Sequence, residues 1–212
     1  MNGILFDLDG TLWDACETML EAWNRTLAEK YPELRRTLTL AELQSGMGKT
    51  REENAGRLFP ELPHDRALEV VETACADEIP VLRERGGILY PGVTELLAGL
   101  KDRYRVGIVS NCQCGYIEAF LEAHDLAPLF RDHECFGRTG RGKAENIRIL
   151  LERQGARDAV YVGDTAGDEA SAAAAGIPFI HAAYGFGKAE SPAAVIRRVT
   201  ELPEVLKALE NR

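Results

Sequence analysis

Four aspartates, a serine, an asparagine and a lysine stand where this 212-residue sequence can most readily build a chemical site. Asp7-Leu8-Asp9-Gly10-Thr11 follows directly on the apolar run Gly3-Ile4-Leu5-Phe6. Ser110-Asn111 follows Val106-Gly107-Ile108-Val109, and Gly163-Asp164-Thr165-Ala166-Gly167-Asp168 follows Ala159-Val160-Tyr161-Val162. Each apolar run reads as a strand covered on both faces. In an open parallel sheet, ligands bind beyond the carboxyl ends of the strands. These three strand ends therefore deliver four carboxylates and a hydroxyl to one edge. Lys143, behind a loop containing Gly137, Gly140 and Gly142, opens the helix before the third of them. A cation is disfavoured at a helix N-terminus, which implies an anionic partner for it.

Four carboxylates in one crevice repel each other unless protons, a cation or solvent neutralise them. A hard divalent cation with oxygen ligands does this economically, and Mg²⁺ is the expected one. Such a site attracts phosphate, which Lys143, the Ser110 hydroxyl and helix N-terminal amides can hold. A carboxylate beside an in-line phosphoryl group can act as a nucleophile. A second carboxyl two residues on can protonate the leaving oxygen. From the residues alone, the expectation is metal-assisted phosphoryl transfer through an aspartyl-phosphate.

The elements that must position these groups alternate, with one long interruption. Helical spacing of Met19, Leu20, Trp23 and Leu27 predicts a helix over about 16–30. From there to Arg85 there is no convincing strand, only Glu-, Arg-, Leu- and Ala-rich sequence broken by Pro32, Gly46, Gly48, Pro60, Pro63 and Pro80. That stretch reads as a helical subdomain, and Gly86-Gly87 and Tyr90-Pro91-Gly92 mark the return to the main domain. Thereafter the pattern predicts helices at 93–100, 116–123, 144–154 and 169–175. It predicts strands at 106–109, 133–136, 159–162 and 178–182, the last followed by two helical segments. Strands alternating with helices imply a parallel α/β sheet, a Rossmann-like core formed by 1–14 and 86–212 with an inserted α-helical cap at 15–85. Gly10–Asp14 and Arg85–Tyr90 would be the hinges.

Composition sets bounds on this reading. Apolar residues make up 45% and charged residues 28%, as in ordinary globular domains. The net charge of −9 argues against non-specific binding to nucleic acid or anionic membranes. No apolar run approaches the roughly 20 residues of a membrane helix. Five cysteines, without a signal peptide, fit reduced thiols and a cytoplasmic setting.

Asp7-x-Asp9-Gly10-Thr11, Ser110-Asn111, Lys143 and Gly163-Asp164-x-x-x-Asp168 resemble, in order, the four motifs of the haloacid dehalogenase-like (HAD) phosphohydrolases. The helical stretch resembles the cap of the phosphoglycolate phosphatase and β-phosphoglucomutase branch, and Tyr184-Gly185-Phe186-Gly187 resembles its close. The resemblance implies that Asp7 is the nucleophile and a metal ligand. It makes Asp9 the general acid, then the base, with its backbone carbonyl on the metal. Ser110, Asn111 and Lys143 would bind the phosphoryl group, Lys143 also stabilising Asp7. Asp164 would ligate Mg²⁺, Asp168 would ligate it or orient its waters, and Thr11 would support the loop. Asp9 favours phosphate chemistry over dehalogenation. Met19 stands where the mutases carry a hinge histidine, and Gly163 where they tend to carry Glu, so a phosphatase is expected ahead of a sugar-phosphate mutase. A non-catalytic phosphate- or metal-binding regulator would need neither Asp9 nor the insertion. The partner would be a small phosphorylated metabolite, with the protein a monomer or small homo-oligomer.

Three other features invite a role. Gly46-Met47-Gly48-Lys49-Thr50 resembles the tail of a P-loop, but Leu43 occupies the first glycine position and no strand precedes it. Gly48-Lys49-Thr50-Arg51 is better read as a substrate loop of the cap, resembling the G-x-[ST]-R pattern of the sugar-phosphate enzymes, with Lys49 and Arg51 reaching a second anionic group. Cys112, Cys114, His133 and Cys135 have the donor types for zinc, although C-x-C is tighter than the usual spacing. Trp13, Trp23 and Phe59 are expected to pack in the core or cap, and His64, His124 and His181 to have no site role.

Overall fold

The chain's first apolar run becomes the centre of its sheet. In the computed structural model, which describes residues 1–211, β1 (Gly3–Phe6) is buried throughout. It leads to a two-residue strand, β2 (Trp13–Asp14). Four helices follow: α1 (Cys16–Lys30), α2 (Leu40–Gln44), α3 (Arg51–Leu58) and α4 (His64–Arg85). After them β3 (Ile88–Leu89) pairs antiparallel with β2. The alternating part runs α5 (Val93–Leu100), β4 (Arg105–Ser110), α6 (Tyr116–Ala123), β5 (Asp132–Cys135), α7 (Phe136–Thr139), α8 (Lys143–Gln154) and β6 (Ala159–Gly163). It continues with α9 (Ala166–Ala175), β7 (Phe179–Ala182), β8 (Ala194–Ile196) and α10 (Leu202–Glu210).

Six strands form one sheet in the order β5-β4-β1-β6-β7-β8, every pair parallel. This is the expected Rossmann-like α/β core. The strand order reverses around β1, so the crevice beyond its carboxyl end is where such sheets bind ligands. Register does the rest. Phe6 lies opposite Ile108 on one side and Val162 on the other, so the residues that follow all three strands emerge together.

Alternation along the strands sends side chains to two interiors. Leu5, Val109 and Tyr161 pack on Ile147 and Leu150 of α8. Ile4, Phe6, Ile108 and Val162 face the opposite side, in a core shared with α5, α6 and α10. That second core continues through Leu12 and Trp13 into the helical insertion, where α1 buries Met19, Trp23 and Leu27 against α4.

Several elements differ from expectation. Pro80 lies inside α4 instead of breaking it. A proline in a helix interior costs about 3 kcal/mol, but Val70, Val71, Ala74 and Leu82 bury the face of α4 on both sides of it. The strand expected at 133–136 is Asp132–Cys135, and Phe136 already begins α7. Residues 178–182 do not supply the last strand. Ala194–Ile196 adds an edge strand on β7, and the two terminal helical segments reduce to one turn of 3₁₀-helix running into α10. A three-residue edge strand with Val195 exposed has too little alternation to be read from its sequence. The two-residue ribbon of β2 and β3 is shorter still. Among the described residues, no helix is long and apolar enough to cross a membrane.

Leu5→Ala empties fully buried space between the sheet and α8. We expect it to cost about 2–5 kcal/mol of folding stability, read as a lower urea midpoint with an unchanged slope.

Candidate active site

The turn after β1 is held from both sides. The Asp7 N–H donates to the Val162 carbonyl at 2.8 Å, continuing the β1–β6 pairing one residue past the strand. The Asp7 carboxylate is buried, and its Oδ1 accepts a hydrogen bond from the Lys143 ammonium at 2.8 Å. Lys143 is the first residue of α8, so the helix dipole opposes its charge. A second carboxylate answers this: the ammonium also donates to Asp168 Oδ1 at 2.5 Å. Burial works against the charge on Lys143, yet Asp168 and Asp7 together hold its pKa well above the usual lysine range. The Tyr161 ring lies 5.8 Å from the ammonium, and its hydroxyl is fixed on the Val109 carbonyl at 2.6 Å.

Asp168 has a second task. Thr165 caps α9, accepting from the Asp168 N–H, while Asp168 Oδ2 accepts from the Thr165 N–H at 3.0 Å and hydroxyl at 2.6 Å. This capping box locks the carboxylate in one orientation. Asp164, at the end of β6, receives the N–H groups of Phe186 and Gly187 on Oδ2 at 2.7 and 3.3 Å. Its Oδ1 is buried with no partner. The approach of these segments leaves no room for side chains: a Cβ on Gly185 would lie 2.3 Å from the Gly10 carbonyl oxygen and 2.4 Å from Asp164 Cβ.

Asp7, Asp164 and Asp168 each place an oxygen within 4.8 Å of the others. Three buried carboxylates face one ammonium, which leaves negative charge uncompensated. Burial, and then the Asp168 charge, push both Asp7 and Asp164 up to about 7. An orphaned carboxylate oxygen, excess negative charge and all-oxygen donors fit a hard divalent cation.

Asp9 sits in a different environment. Its Oδ1 accepts from the Trp13 indole N–H at 2.9 Å and the Tyr116 hydroxyl at 2.8 Å, both neutral donors. Burial raises this carboxyl to about 7 even though the Tyr116 hydrogen bond favours the charged form. Trp13 is in turn wedged edge-on against Tyr116 and Phe120.

Asp7, Asp9, Ser110 and Asn111 line one wall of a cavity of about 70 Å³ whose other wall comes from the helical insertion. Ser110 is buried at the end of β4. Asn111 turns its amide away, donating to the Gly48 carbonyl of the insertion at 3.1 Å. Lys49 and Arg51 both reach the cavity. Lys49 is exposed, whereas Arg51 has an end nitrogen 3.5 Å from Glu72 and an Nε buried without a partner.

The zinc grouping does not assemble. His133 pairs with Glu118 and Arg138 and Cys114 is exposed, and among the described residues the aspartate triad is the one group of at least three such side chains with metal-site geometry. Trp13 and Trp23 are buried as expected, but each indole also donates to a carboxylate. His181, expected to stand apart, is bonded through Nε2 to the Asp164 carbonyl oxygen at 3.1 Å. Sequence reasoning missed Tyr116, which no local pattern links to a residue 107 positions away. It could have found Thr165, since Thr-x-x-Asp is a capping signal.

The family description haloacid dehalogenase-like hydrolase matches residues 4–182. The phosphoglycolate phosphatase of Synechococcus elongatus is 31% identical over 194 residues, covering 90% of this chain and 88% of that protein. The phosphoglycolate phosphatase of Rhodospirillum rubrum is 30% identical, over 88% of this chain and 81% of its own. A haloacid dehalogenase-like family hydrolase of Streptococcus pneumoniae superposes with a TM-score of 0.82 at 21% identity, over 97% of this chain and 98% of that one.

Asp7, Asp9 and Asp164 stand at about 7 in the folded, metal-free protein, against about 4 in an unfolded chain. The folded state keeps protons that the unfolded chain has lost, so this contribution to stability is fully present below about pH 4 and is lost as pH rises through about 7. A divalent cation held by Asp7, Asp164 and Asp168 replaces the protons on Asp7 and Asp164. Mg²⁺ is therefore expected to raise the thermal midpoint more at about pH 7.5 than at about pH 5, measured by calorimetry. An equal shift at both would mean that these carboxylates do not take it.

Proposed function

The chain belongs to the haloacid dehalogenase-like hydrolase family and is a phosphatase, and on that footing we propose that it hydrolyses a small phosphomonoester with Mg²⁺, through a phosphoryl group carried on Asp7. The observation that carries this reading is the contrast between two carboxyls two residues apart. Asp7 is held by a cation, Asp9 by neutral donors, and both face one cavity. Both stand at about 7 without a metal; Lys143 together with the proposed cation would ionise the first for attack, while the second, with neutral donors only, keeps a proton to give.

In the proposed reaction, Lys143 holds Asp7 Oδ1, so Oδ2 attacks phosphorus. The bond from phosphorus to the ester oxygen breaks, and Asp9 gives its proton to that oxygen as the alcohol leaves. Asp9, now ionised, takes a proton from water as the water oxygen attacks phosphorus. The acyl-phosphate bond breaks, inorganic phosphate leaves and the Asp7 carboxylate is restored. A carboxyl near pH 7 serves both directions of proton transfer. The Ser110 hydroxyl and Lys143 would hold the phosphoryl oxygens, together with backbone amides of the Ser110-Asn111 turn. Asp7, Asp164, Asp168 and the Asp9 carbonyl would hold Mg²⁺, which when bound neutralises carboxylate charge and polarises the phosphoryl group.

Residues 15–85 act in this reading as a cap over a core of 1–14 and 86–212, with β2 and β3 as the paired connections. The small cavity favours a substrate with few atoms beyond the phosphate. Relatives named phosphoglycolate phosphatases support the same size class. Lys49 and Arg51 stand where they can reach a second polar or anionic group of the substrate. Met19 bears only a thioether, in contact with the Tyr116 hydroxyl, and so offers no proton for a mutase cycle.

Phosphate release from a panel of small phosphomonoesters is expected to require Mg²⁺. Asp7→Asn is expected to lower kcat by about 10³-fold or more while the protein stays folded. Release that survives this substitution would place the nucleophile elsewhere.

A further inference from the structure

A third buried carboxyl group faces the cavity and takes no part in the chemistry above. Glu78, on α4, is 1% exposed and lines the same space as Asp9. Its Oε2 accepts from the Trp23 indole N–H, and its Oε1 from the Gln113 amide at 2.5 Å. Gln113 is itself anchored, donating also to the Cys75 carbonyl at 3.1 Å. Both partners of Glu78 are neutral. A carboxylate offers about four acceptor positions, and these two contacts fill half of them.

An amide here would turn its own NH₂ toward one of these two N–H donors, so the two oxygens of Glu78 suit the tie between Trp23 and Gln113. What Glu78 still offers the cavity is its two unfilled acceptor positions. Two further polar atoms of the cavity lining are buried and unpartnered, Arg51 Nε and Asn54 Oδ1. On α4, the exposed Glu72 beside Arg51 and the buried Glu78 beside Gln113 are six residues apart, about 9 Å of helix rise. The cavity thus has a cationic end at Arg51 and an anionic end near Asp9, with the apolar walls of Met19 and Trp23 along it.

We propose that Glu78 determines the leaving group: the alcohol released carries a hydroxyl or ammonium group that donates to the Glu78 carboxylate, which Trp23 and Gln113 hold in position. This rests on the phosphatase reading of Asp7 and Asp9. A methyl group in that place leaves the two remaining acceptor positions of Glu78 unfilled, and a carboxylate there meets like charge. A site built to receive a donor discriminates strongly against analogues that lack one. Burial pushes Glu78 up to about 8 against the Trp23 and Gln113 hydrogen bonds, which favour the ionised form, and an arriving donor would add to them.

The test uses the full chain with Mg²⁺ and four esters of two-carbon alcohols: 2-hydroxyethyl phosphate, 2-aminoethyl phosphate, ethyl phosphate and phosphoglycolate. Acetyl phosphate, whose leaving group needs no donor, reports the core chemistry. At least one donor-bearing ester is expected to exceed ethyl phosphate and phosphoglycolate in kcat/KM by about tenfold or more. Which of the two leads tells hydroxyl from ammonium. In Glu78→Gln the ratio of donor-bearing to ethyl ester is expected to collapse towards one for the ammonium and to fall less for the hydroxyl, which an amide oxygen can still accept. A flat ranking in the unaltered protein, phosphoglycolate in first place, or a Glu78→Gln variant that slows all four esters equally would overturn the assignment. If acetyl phosphate is hydrolysed in an Asp7-dependent way while the ranking is flat, only the Glu78 assignment falls. If acetyl phosphate is not hydrolysed at all, the phosphatase reading falls and takes this assignment with it.

Discussion

The ammonium of Lys143, shared between Asp7 and Asp168, lets carboxylates from different strand ends occupy one buried edge. Without it, the parallel pairing of β1 with β6 would bring Asp7 and Asp164 together as bare like charges. With it, the edge still carries excess negative charge, and that residue of charge is what a divalent cation can use. The requirement reaches outward. Lys143 must open α8 against the helix dipole, so Asp168 must be held in place, and the Thr165 capping box holds it. Asp164 must be oriented, so the chain returns after β7 to put the Phe186 and Gly187 amides on it.

The contrast between Asp7 and Asp9 follows from what surrounds them, since both are the same residue type on the same turn. A cation stabilises charge on one; an indole and a phenol, both neutral, leave the other poised for proton exchange. Trp13 serves this and the packing at once. Its ring fills the junction between the sheet and α6, its N–H holds Asp9, and its backbone forms the ribbon with β3. One residue therefore takes part both in the path into the insertion and, with Tyr116, in orienting Asp9.

The insertion meets the core through the loop that follows β4. Ser110 ends the strand inside the cavity, Asn111 holds the Gly48 carbonyl, and Gln113 holds both Glu78 and the Cys75 carbonyl. Residues beside the proposed phosphate site thus also grip the helices that close it off. In the proposed reading, leaving-group recognition and phosphate binding share a support, so the shape of one depends on the position of the other.

The alternating core and the placement of seven candidate residues at its sheet edge were legible in the sequence, because each motif directly follows or precedes a strong apolar run and a strand end has one place to go in a parallel sheet. Asp7, Ser110, Lys143, Asp164 and Asp168 needed only that local logic. Pro80 and the strand at Ala194–Ile196 were misread because packing overrides local signals: neighbours bury α4 on both sides of its proline, and pairing with β7 gives three residues a strand they would not hold alone. Asp9's donors and the acid at Glu78 were beyond reach for a related reason. Trp13 sits only four residues from Asp9, but whether an indole turns toward a carboxylate depends on the ring's packing against α6. Tyr116, Gln113 and Glu78 arrive from separate elements. The sequence determined which groups stand at the sheet edge, since strand periodicity is local. Only the tertiary structure decided their charge states and what faces them across the cavity, since both depend on burial and on contacts between segments far apart in the chain.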